Sequence, residues 1–447
     1  MSRNRKLIIV GALVAIEVLV CVAIIVVLAT ARSVFPSGAK FFYFATTRAE
    51  ETTEESFAAD GPAALDLTNI HGDVEIVAGD GDRFTIKATK EAWGRNKREA
   101  EAKLQAIKLK TKMEGGTLYV EVEDPDEDVV LVVGSMRANQ VKLEITVPRQ
   151  AAIVVRTRNG SITLEGTEGD ADLTSRFGSI TVKGVAGTIR ADTNNGEVTV
   201  HRSGSKLATV DLHSDFGRIT VRQVTAKELT LESRNGSLDL KDVTVDGDLS
   251  LNTSFGGIDL DTGWAQSLTV ESQNGDIAAN NIHLDGTLDL STNFGKVSIV
   301  RTEASEYKIE TRNGAITLEG GHGPLWLHSD FGNITVEGAS DATLDLRSKN
   351  GQVSFEGSLS SESDHQLESD FGAITLRLPA DTAFDLDAST EFGDIRCEFD
   401  VLVRGEGKDK ERRTSGDDLY GKVNGGSNKL RVKTRNGDIT IEAEPSG

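Results

Sequence analysis

Apolar and polar residues alternate with period two along most of the chain, in short runs divided by a phrase that keeps returning. The phrase is a polar residue, then Asn or Phe, then Gly, then an apolar-polar-apolar triplet, first as Arg158-Asn159-Gly160-Ser161-Ile162-Thr163-Leu164. Asn-Gly stands at 159, 195, 235, 274, 313 and 350, and Phe-Gly at 177, 216, 255, 294, 331 and 371, in strict alternation every 18 to 21 residues. A further Phe-Gly falls at 392 and a last Asn-Gly at 436. Triplets such as Ile180-Thr181-Val182 and Ile219-Thr220-Val221 put aliphatics on one face of a strand and Thr on the other. A second alternating run, such as Leu288-Asp289-Leu290-Ser291, precedes each phrase, so each unit supplies about two strands and two bends.

Two architectures suit such units. Asn-Gly between alternating strands signals a hairpin, and paired hairpins would build propeller blades. A type I′ hairpin turn, however, needs positive φ at the Asn position, which a Phe resists. A type II bend needs positive φ only at the Gly. The Asn/Phe exchange therefore favours an all-β solenoid of 19–20-residue rungs, over a propeller or another all-β arrangement. At ~4.8 Å per rung, about 13 rungs would stack to roughly 60 Å.

Outside the repeats the pattern changes twice. Residues 95–107 carry helix formers with Glu/Lys neighbours, including Lys97-Arg98-Glu99-Ala100-Glu101, and predict a short helix capping the first rung. An apolar run from Leu7 to Ala29 is long enough, at about 34 Å as a helix, to cross a bilayer. Arg3, Arg5 and Lys6 before it place the N-terminus in the cytoplasm and the repeats outside. The expected organisation is a cytoplasmic tail (1–6), a transmembrane helix (7–30), an acidic spacer (31–62) and an N-terminal β region (63–150). The solenoid (151–400) and a C-terminal loop and cap rung (401–447) follow. Within the membrane run, Glu17 reads either as a tolerated protonated acid or as an oligomer contact. Phe41, Phe42, Tyr43 and Phe44 read as an interfacial anchor or as a short strand on the first rung.

Composition narrows the function. The formal charge of −21 argues against nucleic-acid partners. Cys21 and Cys397, one in the membrane run and one in the repeats, cannot pair within one chain. Seven His are scattered without metal-ligand spacing, and those at 322 and 328 flank Trp326, reading first as exposed rung positions and second as a small surface site. Asp276, Asp394 and Asp438 beside the corners lack the glycine-rich nonapeptide of calcium β-rolls. Asp-Phe-Gly at 215, 330 and 370 lacks every companion of the kinase motif and is a corner variant. The Thr column 163, 181, 199, 220 is interrupted at Asp239, Asp259, Ala278 and Ser298, against an ice-binding face. Lys408-Asp409-Lys410-Glu411-Arg412-Arg413 reads as a solvated loop, with a basic docking patch as the alternative. Polar residues follow the repeat and do not gather in one cluster, so the chain is not expected to be an enzyme. No catalytic, cofactor-binding or metal-ligating residue is assigned. The Asn column is expected to hydrogen-bond between rungs and the Phe column to turn inward. Sugar stacking on the rings would require Phe177, Phe216, Phe255 and Phe294 to be exposed.

Leu143-Glu144-Ile145-Thr146-Val147-Pro148, Ile153-Val154-Val155-Arg156-Thr157 and Asn159-Gly160-Ser161-Ile162 together resemble the entry to the bacterial putative-adhesin family. The upstream helix and the closing Tyr420-Gly421-Lys422-Val423-Asn424-Gly425-Gly426 and Thr434-Arg435-Asn436-Gly437-Asp438-Ile439 resemble its two ends. The resemblance spans roughly 60 to 444 and implies a β-solenoid on the cell surface, with no catalytic residues. The expectation is a non-enzymatic, adhesin-like or scaffolding surface protein that binds an envelope polysaccharide or a protein through a repeated face. An envelope-stress sensor and a carbohydrate-active β-helix are the alternatives.

Overall fold

A computed structural model describes residues 47–125, 130–132, 135–206, 208–361, 363–402, 418–426 and 428–445. Among the described residues the fold is an all-β solenoid with a single short helix, Lys97–Ala106. Among the described residues no helix is long and apolar enough to cross a membrane. The expected transmembrane helix is therefore corrected as part of the fold class, and the run 7–30, with Glu17 and Cys21, lies outside the described residues. So do Phe41 to Phe44 and the charged run 408–413.

The described chain divides into two compact units. One holds the helix within Glu91–Ala106, together with residues 47–49 and the described residues of 125–139. Asn96 opens the helix, its Oδ1 accepting the Glu99 N–H at 3.0 Å, and Ala100 and Leu104 are its buried residues. The other unit, Glu50–Lys90, Ile107–Asp124 and Gln140–Gly447, carries the solenoid. Within the stretch read as a spacer, Thr47–Ala58 is a 12-residue strand that never buries a side chain fully, as its polar alternation dictates.

Rungs pair in parallel and in register, as a coil requires and a propeller forbids. Ala152–Asn159 pairs with Ala171–Phe177, and Ile162–Glu165 with Ile180–Lys183, each residue one unit from its partner. Like side chains consequently stack. Ile162, Ile180, Val198, Ile219, Leu238 and Ile258 form one aliphatic column, each no more than 2% exposed. Stacking like on like buries nearly all of each apolar side chain without needing a thick core, at about 2 kcal/mol per side chain.

Two ends of the stack depart from chain order. Ala64–His71 lies between Thr117–Glu123 and Ala152–Asn159, although the chain meets these strands in a different sequence. At the other end Lys429–Asn436 lies between His365–Phe371 and Phe384–Phe392. The corners at 392 and 436 are therefore not wound consecutively.

The corner glycines also serve differently than expected. From Gly160 to Gly437 none of them, among the described residues, has positive φ. A Cβ on Gly236 would instead collide with the carbonyl oxygen of Gly217 on the adjacent rung, and one on Gly217 with that of Gly196, each closer than 3.0 Å. Gly is needed because backbones meet at this edge.

Positive φ belongs to the second corner, four residues after the first aliphatic of each triplet. It is held there by Gly166, Gly184, Arg202, Gln223, Asp242, Thr262, Asn281, Arg301, Gly320 and Gly338. Thr262, at φ 64°, is the β-branched member and carries the largest strain for its type. Thr262→Gly is expected to stabilise the fold by about 0.5–1 kcal/mol, after its entropic cost in the unfolded chain. A denaturant midpoint that falls instead would show that the Thr262 contacts outweigh the strain.

Candidate functional surface

Each corner is built from Ser or Thr, any residue, Asn or Phe, then Gly. The hydroxyl points inward and donates to the carbonyl of the corner Gly one rung back. Ser175 donates to Gly160 at 3.0 Å, Thr193 to Gly178 at 2.9 Å, Ser214 to Gly196 at 2.9 Å and Ser233 to Gly217 at 3.1 Å. Ser369, Thr434 and Thr390 repeat the bond, onto Gly351, Gly372 and Gly437. Thr157 and Ser272 are the buried members whose hydroxyls lack a partner among the described residues. The interior of the corner is thereby filled, and the next-but-one residue must face out.

That outward position is the Asn/Phe column. Phe177, Phe216, Phe255, Phe294, Phe331 and Phe371 are 50–56% exposed, and Phe392 is 69% exposed. The expectation that these rings turn inward is overturned: the hydroxyl–glycine bond leaves them no room. Between them Asn235, Asn274 and Asn350 reach back one rung, Nδ2 donating at 3.5 Å to the carbonyls of Asp215, Ser254 and Asp330. The rings therefore stand two rungs apart, ~9.6 Å, and from Phe177 to Phe392 the ladder runs roughly 58 Å.

At three pairs of adjacent corners the charge beside the column alternates. Asp215, Asp330 and Asp370 precede Phe, and Arg234, Lys349 and Arg435 precede Asn. They pair across rungs, Arg234 to Asp215 at 2.9 Å, Lys349 to Asp330 at 2.5 Å and Arg435 to Asp370 at 3.6 Å. These acids hold the corner together, and the kinase-like tripeptide has no further part.

Acids after the Gly cap the neighbouring backbone. Asp276 Oδ1 accepts the Lys296 N–H at 2.8 Å, and Asp438 Oδ1 accepts that of Asp394 at 2.9 Å. Among the described residues no three His, Cys, Asp or Glu side chains come together as metal ligands would. The Thr column is in register through Thr163, Thr181, Thr199 and Thr220 and then passes to Asp239 and Asp259. Cys397 is half-buried, and its thiol points to the Phe399 carbonyl oxygen at 3.9 Å.

His322 and His328 separate in role. His322 meets the buried Tyr307 edge-on at 6.5 Å, while Tyr307 donates its hydroxyl to the Thr302 carbonyl at 2.7 Å. Burial raises the Tyr307 phenol above its ordinary value. His328 lies against Trp326 with ring centroids 3.6 Å apart, and its Nε2 is 3.2 Å from Asp345 Oδ1. Burial holds this imidazole below its ordinary value in spite of Asp345, so it is neutral near pH 7. Trp326 and Asp345 border a surface recess of about 400 Å³.

The sequence profile of the Toastrack DUF4097 family matches residues 63–264 and again 261–442. None of the curated proteins compared with it matches the chain. Among solved structures, a "putative adhesin" from Bacteroides fragilis is 13% identical, with a TM-score of 0.27 over 64% of this chain and 96% of its own. A "putative cell adhesion protein" from Clostridium sporogenes is 10% identical, TM-score 0.19, over 89% and 100%. A "putative lipid binding protein" from Parabacteroides distasonis is 15% identical, TM-score 0.33, over 65% and 97%.

Proposed function

The chain belongs to the Toastrack DUF4097 family, and from that premise we propose that it is a non-enzymatic cell-surface β-repeat protein that binds an extended envelope polymer or protein along its corner ladder. The observation that carries this reading is the exposed column of seven Phe alternating with Asn. Single exposed apolar side chains are ordinary, but a regular column of them repeated along one edge marks an interaction surface. The row adds nothing to the core, which the inward hydroxyls and aliphatics already fill. Regular spacing suits a partner that lies lengthwise, since many weak contacts then add without any one being strong.

The test uses the full-length protein against purified envelope fragments. Phe216, Phe255 and Phe294 are changed to Ala together. Circular dichroism and the unfolding midpoint are expected to stay near wild type, because half-exposed rings give little to stability. Affinity is expected to fall about 10-fold or more. Unchanged binding by the folded triple variant, or no saturable binding by the parent protein, would sink the proposal.

A further inference from the structure

The recess beside Trp326 interrupts the repeat. The outward position of this column is Thr230, Ser250, Thr269, Asp289 and Lys308 on preceding rungs and becomes Trp326, Asp345, Gln366 and Arg431 in consecutive register. The rungs themselves are irregular here. Register shifts occur between His322 and Gly323 and twice between Val336 and Ala342, and Gly323 has φ 69°. The result is a recess of about 400 Å³ within the size range of small-ligand sites, at one place on a surface that elsewhere repeats.

We propose that this recess binds a saccharide of one or two rings, at a site separate from the phenylalanine ladder. Trp326 lies at one end, and three rungs away, ~14 Å, Arg431 and Lys429 lie at the other. Between them the floor carries the hydroxyl of Thr343, the carboxylates of Asp345 and Asp364 and the amide of Gln366. A sugar has one apolar face of C–H groups and a rim of hydroxyls that both donate and accept. The indole takes the first and the carboxylates, amide and cations take the second.

Other ligand classes fit less well. An anion would face Asp345 and Asp364, a cation would face Lys429 and Arg431, and an apolar ligand would desolvate all of these polar groups without replacing their hydrogen bonds.

The central acceptor is already oriented. Arg347 grips Asp345 through Nε at 2.6 Å and Nη2 at 3.1 Å, and His328 Nε2 approaches it at 3.2 Å. His328 in turn packs on the Trp326 ring, so the indole and the acceptor are held by the same side chain. Such support keeps a site in its binding geometry before the ligand arrives. The recess does not rest on the ladder reading, because Trp326 and Phe331 are five residues, roughly 16 Å, apart along their rung.

The experiment titrates the full-length protein with N-acetylglucosamine, its β-1,4-linked dimer, galactose and galacturonate, read by calorimetry. At least one is expected to bind saturably. Trp326→Ala and Gln366→Ala are each expected to weaken that binding about 10-fold or more, while the triple Phe-ladder variant leaves it unchanged. Trp326→Phe, which keeps a ring and so guards against a folding defect, is expected to retain part of the affinity. Saturable binding of none of the four sugars, or binding that survives in folded Trp326→Ala, would overturn the proposal. Loss of sugar binding in the ladder variant would overturn the separateness of the site.

Discussion

Gly236→Ala is expected to be among the most damaging single methyl groups that can be added to this protein. An alanine Cβ there would sit inside the van der Waals envelope of the Gly217 carbonyl oxygen and carbon, which belong to a neighbouring backbone and not to a flexible side-chain end. The Gly217 oxygen also accepts the Ser233 hydroxyl, so it cannot move aside without leaving that buried donor unpaired. Displacing the rung enough to admit the methyl breaks the parallel ladder on both sides of the corner. A loss of about 3 kcal/mol or more is expected, above the usual range for overpacking because backbone must shift. The measurement is a denaturant midpoint for Gly236→Ala beside Gly81→Ala, where a Cβ meets no atom within 4 Å. Equal midpoints for the two would show that the stack yields at its corners.

Truncation after residue 428 is expected to cost more than the loss of a terminal rung. The strands Lys429–Asn436 and Ile439–Glu444 are last in the chain but interior in the stack, between His365–Pro379 and Phe384–Cys397. Leu430, Val432, Ile439 and Ile441 are all 0% exposed, and removing them forfeits up to about 8 kcal/mol of burial. The strand Phe384–Phe392 would keep only its antiparallel partner Asp418–Val423. Amide exchange should show protection lost from residues 385–390 and retained at 153–164. Protection that persists at 385–390 would mean that the rung reforms on its other neighbour.

Electrostatics explains why the last rung inserts where it does. Stacked in chain order, Phe392 would follow Phe371 and Glu391 would meet Asp370, like on like. With Asn436 between the two rings, Arg435 lies 3.6 Å from Asp370 and 3.9 Å from Glu391. The Asn/Phe alternation that fails at 392 and 436 in the sequence is thus unbroken in space. That failure was the legible sign of a reordered end.

The Ser or Thr three positions before each corner Gly, present at every phrase from Thr157 to Thr434, was equally legible and stood unread beside the more conspicuous Thr of the triplets. The second corner was not legible at all. Its left-handed residue can be Gly, Arg, Gln, Asp, Thr or Asn, because the register of the coil, and not the local residue, imposes the conformation.

The recess at Trp326 was visible only as an aromatic between two histidines. Its floor comes from Asp345, Gln366 and Arg431, and Arg431 lies 65 residues beyond its neighbour Gln366 in the chain.

By itself the sequence determined the period, the inward aliphatics and the position of each corner, because alternation and glycine act on residues close in the chain. Only the tertiary structure decided that the phenylalanines face outward, that the glycines serve close stacking, and which rung lies on which. Those depend on backbone contact between segments far apart in sequence, where charge and ring alternation select one neighbour from several rungs of nearly the same pattern.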